Sequence, residues 1–201
     1  ILWQSADVNA GYSTPLPVQR GGQWLALLGN GTAYVAVNLR DGKEVWRVKH
    51  GGMNAASIPQ RKGDSLFLAS SDGGWGLGAV RLGATGKLPE DAILWKTAKG
   101  APQYSSLVID GDLIYSATEK GFACCLEAAT GAEVYQERLG NKFHASPVLS
   151  GDKLWLFDDK GKGYCIRAGR KYQLLGSGQL DDGCMATPAI AGDILIVRTR
   201  K

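Results

Sequence analysis

Short apolar runs separated by glycine-centred polar turns make up most of this chain. The clearest unit has four runs of five or six residues, at 105–109, 113–117, 122–127 and 133–138. The turns between them contain Gly111-Asp112, Glu119-Lys120-Gly121 and Thr130-Gly131. Runs of this length with such turns predict four antiparallel strands joined by hairpins. Because no segment of 12 or more residues has a convincing helical period, we expect an all-β protein.

The same unit recurs along the chain. Each copy starts with a small or hydroxyl-bearing pair, usually followed by proline, and the third position of this motif falls at residues 15, 59, 107, 147 and 188. Spacings of 40 to 48 residues are typical of propeller blades. We therefore predict one β-propeller domain over 1–201, built from four-stranded antiparallel blades. The expected complete blades are 12–50, 56–98, 104–139 and 144–180, and a partial blade combines 186–199 with a strand at 1–4.

The end of each unit has its own pattern, in which a small residue, a turn with glycine and an aromatic residue follow one another. The aromatic position is Trp46 in the first blade, Trp95 in the second and Tyr135 in the third, and the fourth blade has a degenerate version that ends at Tyr172. We predict that Trp46 and Trp95 are largely buried between neighbouring blades. Tyr135 should fill the same role less completely.

This pattern resembles the tryptophan-docking repeat of the PQQ-like, or quinoprotein-dehydrogenase-like, β-propellers. That family includes PQQ-dependent alcohol dehydrogenases and the propeller lipoproteins of the outer-membrane assembly machinery, and the resemblance covers nearly the whole chain. In the family, a large flat ring fills the gap between twisted sheets that share no hydrogen bonds. The resemblance implies a propeller fold and an extracytoplasmic location, periplasmic or secreted. It implies little about chemistry, because one fold hosts many functions.

The number of blades bears on how the ring closes. Family propellers commonly have about seven or eight blades, so we expect this chain to be the C-terminal half of a larger propeller. The alternative is that two copies join into one ring. The fifth blade lacks its third strand, and unpaired strand edges favour association. We therefore expect either self-association through the open edges or an open half-ring with frayed termini.

Charge and hydropathy narrow the range of partners. The formal net charge is +4, and the 23 basic residues are scattered, with the densest cluster at Arg198, Arg200 and Lys201. A nucleic-acid binder usually concentrates its charge on one face, so we do not expect nucleic acid as a partner. No apolar run reaches the ~18 residues of a membrane span, which argues against membrane insertion. A protein partner is the expectation that remains.

The cysteines and histidines do not form a catalytic or metal-binding motif. Cys124 and Cys125 lie in one predicted strand, where neighbouring side chains point to opposite faces, so we expect buried thiols rather than a vicinal disulfide. His50 and His144 lie in different repeats, without metal-ligand spacing. We therefore assign no catalytic, cofactor-binding or metal-binding residue.

Two loops have superficial functional motifs. The segment that starts with Asp158-Asp159 has some calcium-loop character, but it matches the second turn of the preceding blade and is interpreted as an ordinary turn. Asp181-Asp182 is interpreted as a solvated loop. The glycine-rich segment 73–78 is followed by a predicted strand, whereas a nucleotide loop needs a helix there. We expect a widened hairpin.

The loops that enter the first strand of each blade carry the remaining candidate site. In propellers of the resembled type these loops converge on the central channel. The possible ligand contacts on them are Tyr12, Asn54, Tyr104, His144 and Met185. Such a ring of side chains can hold a ligand or peptide, or it can simply line a wet channel mouth.

Three functions stay open at this point. The first is a non-catalytic scaffold or protein-binding platform without a cofactor. The second is part of a PQQ-dependent quinoprotein dehydrogenase, which would need PQQ with calcium. The third is a sensor domain for a small ligand. The residues favour the first, so we do not expect an enzyme.

Overall fold

The computed structural model describes residues 2–4, 11–53, 55–70, 73–82, 86–87 and 92–201. The fold is an all-β propeller of four-stranded antiparallel blades, as the repeats predict. The chain divides into two compact units, Ile1–Ala98 and Lys99–Lys201. The first unit contains blades one and two, and the second contains blades three and four and a further hairpin. In the described residues, no helix has the length and apolar character needed to cross a membrane.

The first unit contains two blades, each a meander in which strand order follows chain order. Blade one consists of β1 (Leu16–Arg20), β2 (Gln23–Gly29), β3 (Ala33–Asn38) and β4 (Glu44–Lys49). Blade two consists of β5 (Gln60–Lys62), β6 (Ser65–Ala69), β7 (Leu77–Arg81) and β9 (Ile93–Thr97). Between β7 and β9, the short strand β8 (Gly86–Lys87) pairs in parallel with β4. Gly86 was predicted in a turn with Thr85, which lies outside the described residues. Backbone pairing with β4 makes Gly86 part of a strand instead.

The second unit repeats this architecture. Blade three consists of β10 (Val108–Asp110), β11 (Leu113–Ala117), β12 (Phe122–Glu127) and β13 (Glu133–Arg138). Blade four consists of β14 (Val148–Ser150), β15 (Lys153–Phe157), β16 (Lys162–Arg167) and β17 (Leu174–Gln179). The hairpin of β18 (Ala189–Ala191) and β19 (Ile194–Ile196) supplies the two strands predicted for 186–199.

Aromatic side chains on the outer strands fill the cores between blades. Trp46 on β4 is 1% exposed and packs with Leu66, Leu68 and Val80 of blade two, as predicted. Tyr135 on β13 is 9% exposed and joins a core with the buried side chains of β15 and β16, so it fills the same role less completely than Trp46. These rings fill the gap between the faces of neighbouring blades.

Trp95 is less deeply buried than Trp46. Trp95 is half-buried, and its ring packs against Phe67 with the centroids 6.1 Å apart. Positions along β9 alternate between half-buried and exposed. Phe67, Ala79 and Trp95 lie side by side on one face of blade two, so within its unit the indole contacts its own sheet.

The first strand of blade three begins later than predicted. The expected strand at 105–109 starts only at Val108, because the hydroxyl residues before it bond to other segments. Ser105 Oγ donates to the carbonyl of Ala117 at 2.6 Å, and the amide of Ser106 donates to Ser146 Oγ at 2.8 Å. The amide of Ser146 in turn donates to Thr187 Oγ1 at 3.0 Å. The hydroxyl positions of the repeat therefore link one blade to the next.

The predicted strand at 1–4 is not present in the described residues of that segment. Leu2, Trp3 and Gln4 form no strand, and Ile1 lies outside the description. Trp3 Nε1 donates to the carbonyl of Leu39 at 2.8 Å, and the indole lies against Gly42 so closely that a Cβ there would overlap it. A side-chain contact with the turn of blade one, rather than backbone pairing, holds this segment.

Candidate functional site

The structure brings together two of the five predicted loop residues. The rings of Tyr104 and His144 stack with centroids 4.8 Å apart and an angle of 28°. Met185, in the same unit, is 51% exposed, and Tyr12 in the other unit is 78% exposed. Asn54 lies outside the described residues. The stacked pair makes a small, partly exposed aromatic patch on the loops that enter blades three and four.

The register of the outer strands reveals a site that the sequence did not. In each blade a small residue of the third strand lies opposite the docking position of the fourth, in the pairs Ala36–Trp46, Ala79–Trp95, Cys125–Tyr135 and Cys165–Gly176. The docking position of blade four is therefore glycine.

Tyr172, which ends the degenerate motif of blade four, lies elsewhere. It packs edge-on against Tyr135 with ring centroids 5.8 Å apart, and it contacts the core between blades three and four. Tyr172 precedes the start of β17 at Leu174, and the residue that lies opposite Cys165 at the docking position is Gly176.

An open cavity of about 500 Å³ lies at this docking position, on one face of blade four. We call it the blade-four groove. Trp155 and Phe157 of β15 line it together with Cys165 of β16, and Leu175 of β17 lies at its rim. The three strands contribute the full lining, which is Lys153, Trp155, Phe157, Gly163, Tyr164, Cys165 and residues 175–180.

The backbone leaves room for side chains in this groove. A Cβ at Gly176 or at Gly178 would meet no other atom within 4 Å, and neither glycine has a left-handed φ. Glycine is therefore not required at either position by the local conformation. The groove is empty at these two positions because glycine has no side chain, and not because the backbone is strained.

The groove is apolar, with one cation at its edge. Among the described residues that line it, Lys153 is the only charged one. Burial raises the pKa of the Cys165 thiol above its ordinary value, although Lys153 acts in the opposite direction. Cys165 is therefore a neutral thiol in the groove at physiological pH. A surface with these properties suits an apolar or aromatic side chain.

The hairpin β18–β19 covers only part of this face. A second cavity of about 350 Å³ is lined by Lys153 and Trp155 on one side and by Ile190 and Leu195 of the hairpin on the other. Trp155 thus lies between the two cavities. In the described residues the hairpin has two strands, so the part of the face formed by β16 and β17 stays open.

A buried carboxylate shapes the loops at one end of blade four. Asp158 is completely buried, and its Oδ2 accepts hydrogen bonds from the amide and side chain of Asn141 at 3.1 and 3.2 Å. Its Oδ1 accepts from the amides of Lys160 and Lys162. The predicted turn is present, but the sequence analysis missed this structural role. Thr118, at the same place in blade three, accepts from the amide of Phe122, and this shared polar position was the available signal.

A polar groove of about 640 Å³ lies beside these loops. Its lining includes Lys120, Arg138, Lys142 and Lys160 but also Glu119 and Asp159. One oxygen of each of these two carboxylates is buried without a hydrogen-bond partner. The mixed charge gives this groove no clear preference for an anion or a cation. No group of three or more metal-ligating side chains occurs in the described residues.

The adjacent cysteines lie on opposite faces of β12, as the strand pattern predicts. All four cysteines are free and buried. Cys125 packs in the core between blades three and four, whereas Cys124 Sγ lies 3.7 Å from Gln136 Oε1. Burial raises the pKa of each of these two thiols to about 12. Both are therefore protonated and weakly nucleophilic at neutral pH.

Comparison with solved structures supports the fold. BamB from Moraxella catarrhalis matches with a TM-score of 0.73 and 15% identity, over 96% of this chain and 57% of that protein. The chain thus spans a little over half the length of this relative. A computationally designed protein, Ika4, matches with a TM-score of 0.61 and 9% identity, over 84% of this chain and 98% of that protein. No curated protein sequence matches significantly.

The family assignment comes from the sequence itself. The sequence model of the family described as outer membrane protein assembly factor BamB matches residues 80–201, which is more than half of the chain. The match includes the last part of blade two and all of the second unit, with its strands of blades three and four. The tryptophan-docking resemblance is thereby confirmed, and the chain belongs to the BamB-like family of outer membrane protein assembly factors.

Proposed function

We propose that this chain is a non-catalytic, protein-binding propeller module that docks another protein of the outer-membrane assembly machinery in the blade-four groove. The single observation that carries the proposal is the open apolar groove of about 500 Å³ at the position where the other blades have an aromatic side chain. Membership of the outer membrane protein assembly factor family supports a protein partner of this kind.

The lining of the groove indicates what the partner presents. Trp155, Phe157 and Cys165 offer an apolar floor, and Gly176 and Gly178 let another chain approach the backbone closely. An aromatic side chain on an extended segment fits this arrangement, as Trp46 fits between blades one and two. Burying such a ring contributes about 1.5–3 kcal/mol, which is the scale of an interface hot spot. Lys153 at the edge favours an acidic neighbour on the same segment.

The proposed location is outside the cytoplasm, in the periplasm at the outer membrane. The family description supports this, since assembly of outer-membrane proteins takes place there. The four free thiols are buried, which is compatible with an oxidising compartment.

A binding measurement with a groove-filling variant tests the proposal. Purified outer-membrane assembly machinery from the same organism is titrated with the wild-type chain and with Gly176→Trp, and the affinity is measured by biolayer interferometry. The matched control is Gln136→Trp on β13 of blade three, where the side chain is exposed. Its register position in blade three is equivalent to that of Ser177, the neighbour of Gly176, in blade four. We expect about tenfold or greater loss of affinity for Gly176→Trp and no loss for the control. Equal binding by all three proteins, or no binding by the wild type, contradicts the proposal.

The second candidate function is a sensor domain for a small ligand, and the size of the groove supports it. A volume of about 500 Å³ lies in the range of ligand pockets. If the chain is such a sensor, the wild type, whose groove is intact, binds an apolar small molecule and has no affinity for the assembly machinery. The PQQ-dependent alternative stays a prediction from the resemblance. Addition of PQQ with calcium, followed by an assay of dye-linked alcohol oxidation, tests it.

A further inference from the structure

The outer strand of blade four differs in charge from the outer strands of the other blades. These outer strands are the fourth strands of the blades, and in the described residues three of them carry charged side chains, on β4 (Glu44, Arg47, Lys49), β9 (Lys96) and β13 (Glu133, Glu137, Arg138). β17 has the sequence Leu-Leu-Gly-Ser-Gly-Gln, without a charge or a proline. Charged residues and prolines are the usual protection of a sheet edge against pairing with another chain.

The edge of β17 is also physically open. β17 is the last strand in its sheet, paired only with β16, and all six of its residues are exposed. Leu174 and Leu175 are 46% and 36% exposed. In contrast, the outer strand of blade one is joined by β8. An uncharged, glycine-rich edge of six residues is long enough to form a stable ladder with another strand.

The residues that flank β17 determine which strand fits best. Lys171 lies five residues before Gly176, and Asp181 lies five residues after it. Both are exposed, and neither forms an ion pair with another described residue. If two copies of β17 pair antiparallel about a twofold axis at Gly176, Lys171 of one copy comes to the same end of the ladder as the partner's Asp181. The symmetric pairing creates this opposite-charge match twice.

We propose that β17 is a self-association surface, at which two copies of this chain pair their blade-four edges antiparallel into one continuous sheet. The pairing is isologous and closes after two copies, because each edge is used by the other. Gly176 lies opposite the partner's Gly176, and the absence of side chains there lets the two backbones approach. The self-association uses the backbone edge of β17, whereas the proposed function uses the face of blade four, and Gly176 takes part in both.

A charge placed at the centre of the ladder tests the proposal. Ser177→Lys adds one cation next to the twofold axis on an exposed position, and Gln136→Lys makes the same change at the equivalent position of β13. Sedimentation velocity over a concentration series should show a reversible dimer for the wild type and for Gln136→Lys. In this register position 177 lies opposite the partner's Leu175, so the two introduced cations are diagonal neighbours across the ladder. Their repulsion should weaken the dimer about tenfold in Ser177→Lys. A wild type that stays monomeric, or a dimer that persists in Ser177→Lys, overturns the proposal.

The register is tested by a cross-link. Residues directly opposite in an antiparallel pair have Cα atoms about 4.5–5.5 Å apart, which suits a disulfide. Gly176→Cys should therefore form an intermolecular disulfide on mild oxidation. The variant is made with Cys165→Ala, because Cys165 lies opposite Gly176 within the sheet and would compete for the new thiol. Gln136→Cys in the same background should stay monomeric on denaturing gels, and a dimer without the Gly176→Cys cross-link overturns this register.

Charge reversal at Lys171 and Asp181 tests whether the strand that pairs with β17 belongs to a second copy of this chain. Lys171→Glu and Asp181→Lys should each weaken the dimer, and the double variant should restore it. A dimer that is unaffected by these changes but lost in Ile196→Lys would contradict the proposal and move the interface to β19, whose Ile196 is 54% exposed.

Discussion

Gly176 of blade four occupies the register position that Trp46 occupies in blade one. Trp46 lies opposite Ala36 and is 1% exposed in the core between blades one and two. Gly176 lies opposite Cys165 and faces an open groove of about 500 Å³. In the described residues, an aromatic ring fills the docking position of blade one, and no ring lies at the docking position of blade four.

Truncation of the docking tryptophan should be costly. Trp46→Ala removes a fully buried ring that contacts β6 and β7, so we expect a loss of about 3–5 kcal/mol in the free energy of unfolding. The measurement is chemical denaturation followed by circular dichroism. Trp24→Ala is the control, since Trp24 is 52% exposed and should cost less than about 1 kcal/mol. Equal effects of the two substitutions would contradict the docking role.

Two buried tyrosines on one face of blade three should respond differently to loss of their hydroxyl. The Tyr135 hydroxyl is buried without a hydrogen-bond partner, so Tyr135→Phe should be neutral or stabilising by up to about 1 kcal/mol. The Tyr115 hydroxyl accepts a hydrogen bond from the amide of Gly169 at 2.7 Å, and Tyr115→Phe leaves that amide unpaired. We expect a cost of about 1–3 kcal/mol for this second change. Thermal denaturation of both variants checks the order, and the reverse order would show that the Tyr135 hydroxyl has a partner.

The sequence predicted most of the fold because the repeat is local. Glycine turns and apolar runs placed β11, β12 and β13 correctly, and the aromatic pattern identified Trp46 as a core residue. The sequence could not show that Ser105 and Ser106 leave the strand, since their partners Ala117 and Ser146 are distant along the chain.

The candidate site depended still more on long-range register. Gly176 is four residues beyond Tyr172, and the pairing of β16 with β17 decides which of them lies opposite Cys165 at the docking position. Periodicity along one strand does not reveal which residues pair across a sheet. Asp158 was missed for a related reason, because its burial depends on Asn141 of a separate loop.

Acidification should destabilise the first unit through His50. Its Nδ1 accepts a hydrogen bond from the amide of Gly52 at 3.1 Å, and burial lowers its pKa below the ordinary value of 6.5. Below pH 6.5 the imidazole of the unfolded chain binds a proton, whereas the buried imidazole of the folded chain binds it less readily. The contribution of His50 to the free energy of unfolding, present above pH 6.5, is therefore lost as the pH falls. Denaturation midpoints at about pH 7.5 and 5.5 should therefore differ less in His50→Gln than in the wild type. His144→Gln controls for the loss of an imidazole, and an unchanged pH dependence in His50→Gln would contradict this assignment.

The four cysteines should be slow to react in the folded protein. All are buried, and burial raises the pKa of Cys124 and of Cys125 to about 12, so little thiolate is available. In a DTNB assay we expect four thiols after denaturation. In the native protein only Cys165, which is 8% exposed at the blade-four groove, should react measurably. Two thiols in the denatured protein would instead reveal a vicinal disulfide.

The stability of Gly176→Trp tests most directly whether blade four has an empty docking position. A side chain at this position meets no atom within 4 Å of its Cβ, and the indole would cover Trp155 and Phe157. We predict a gain of about 1–2 kcal/mol, from burial of the ring and from removal of a glycine in a strand. For a chain of 201 residues this corresponds to a rise in Tm of about 2–8 °C, while Gln136→Trp should leave Tm unchanged. A fall in the Tm of Gly176→Trp, or equal shifts in both variants, would contradict the account.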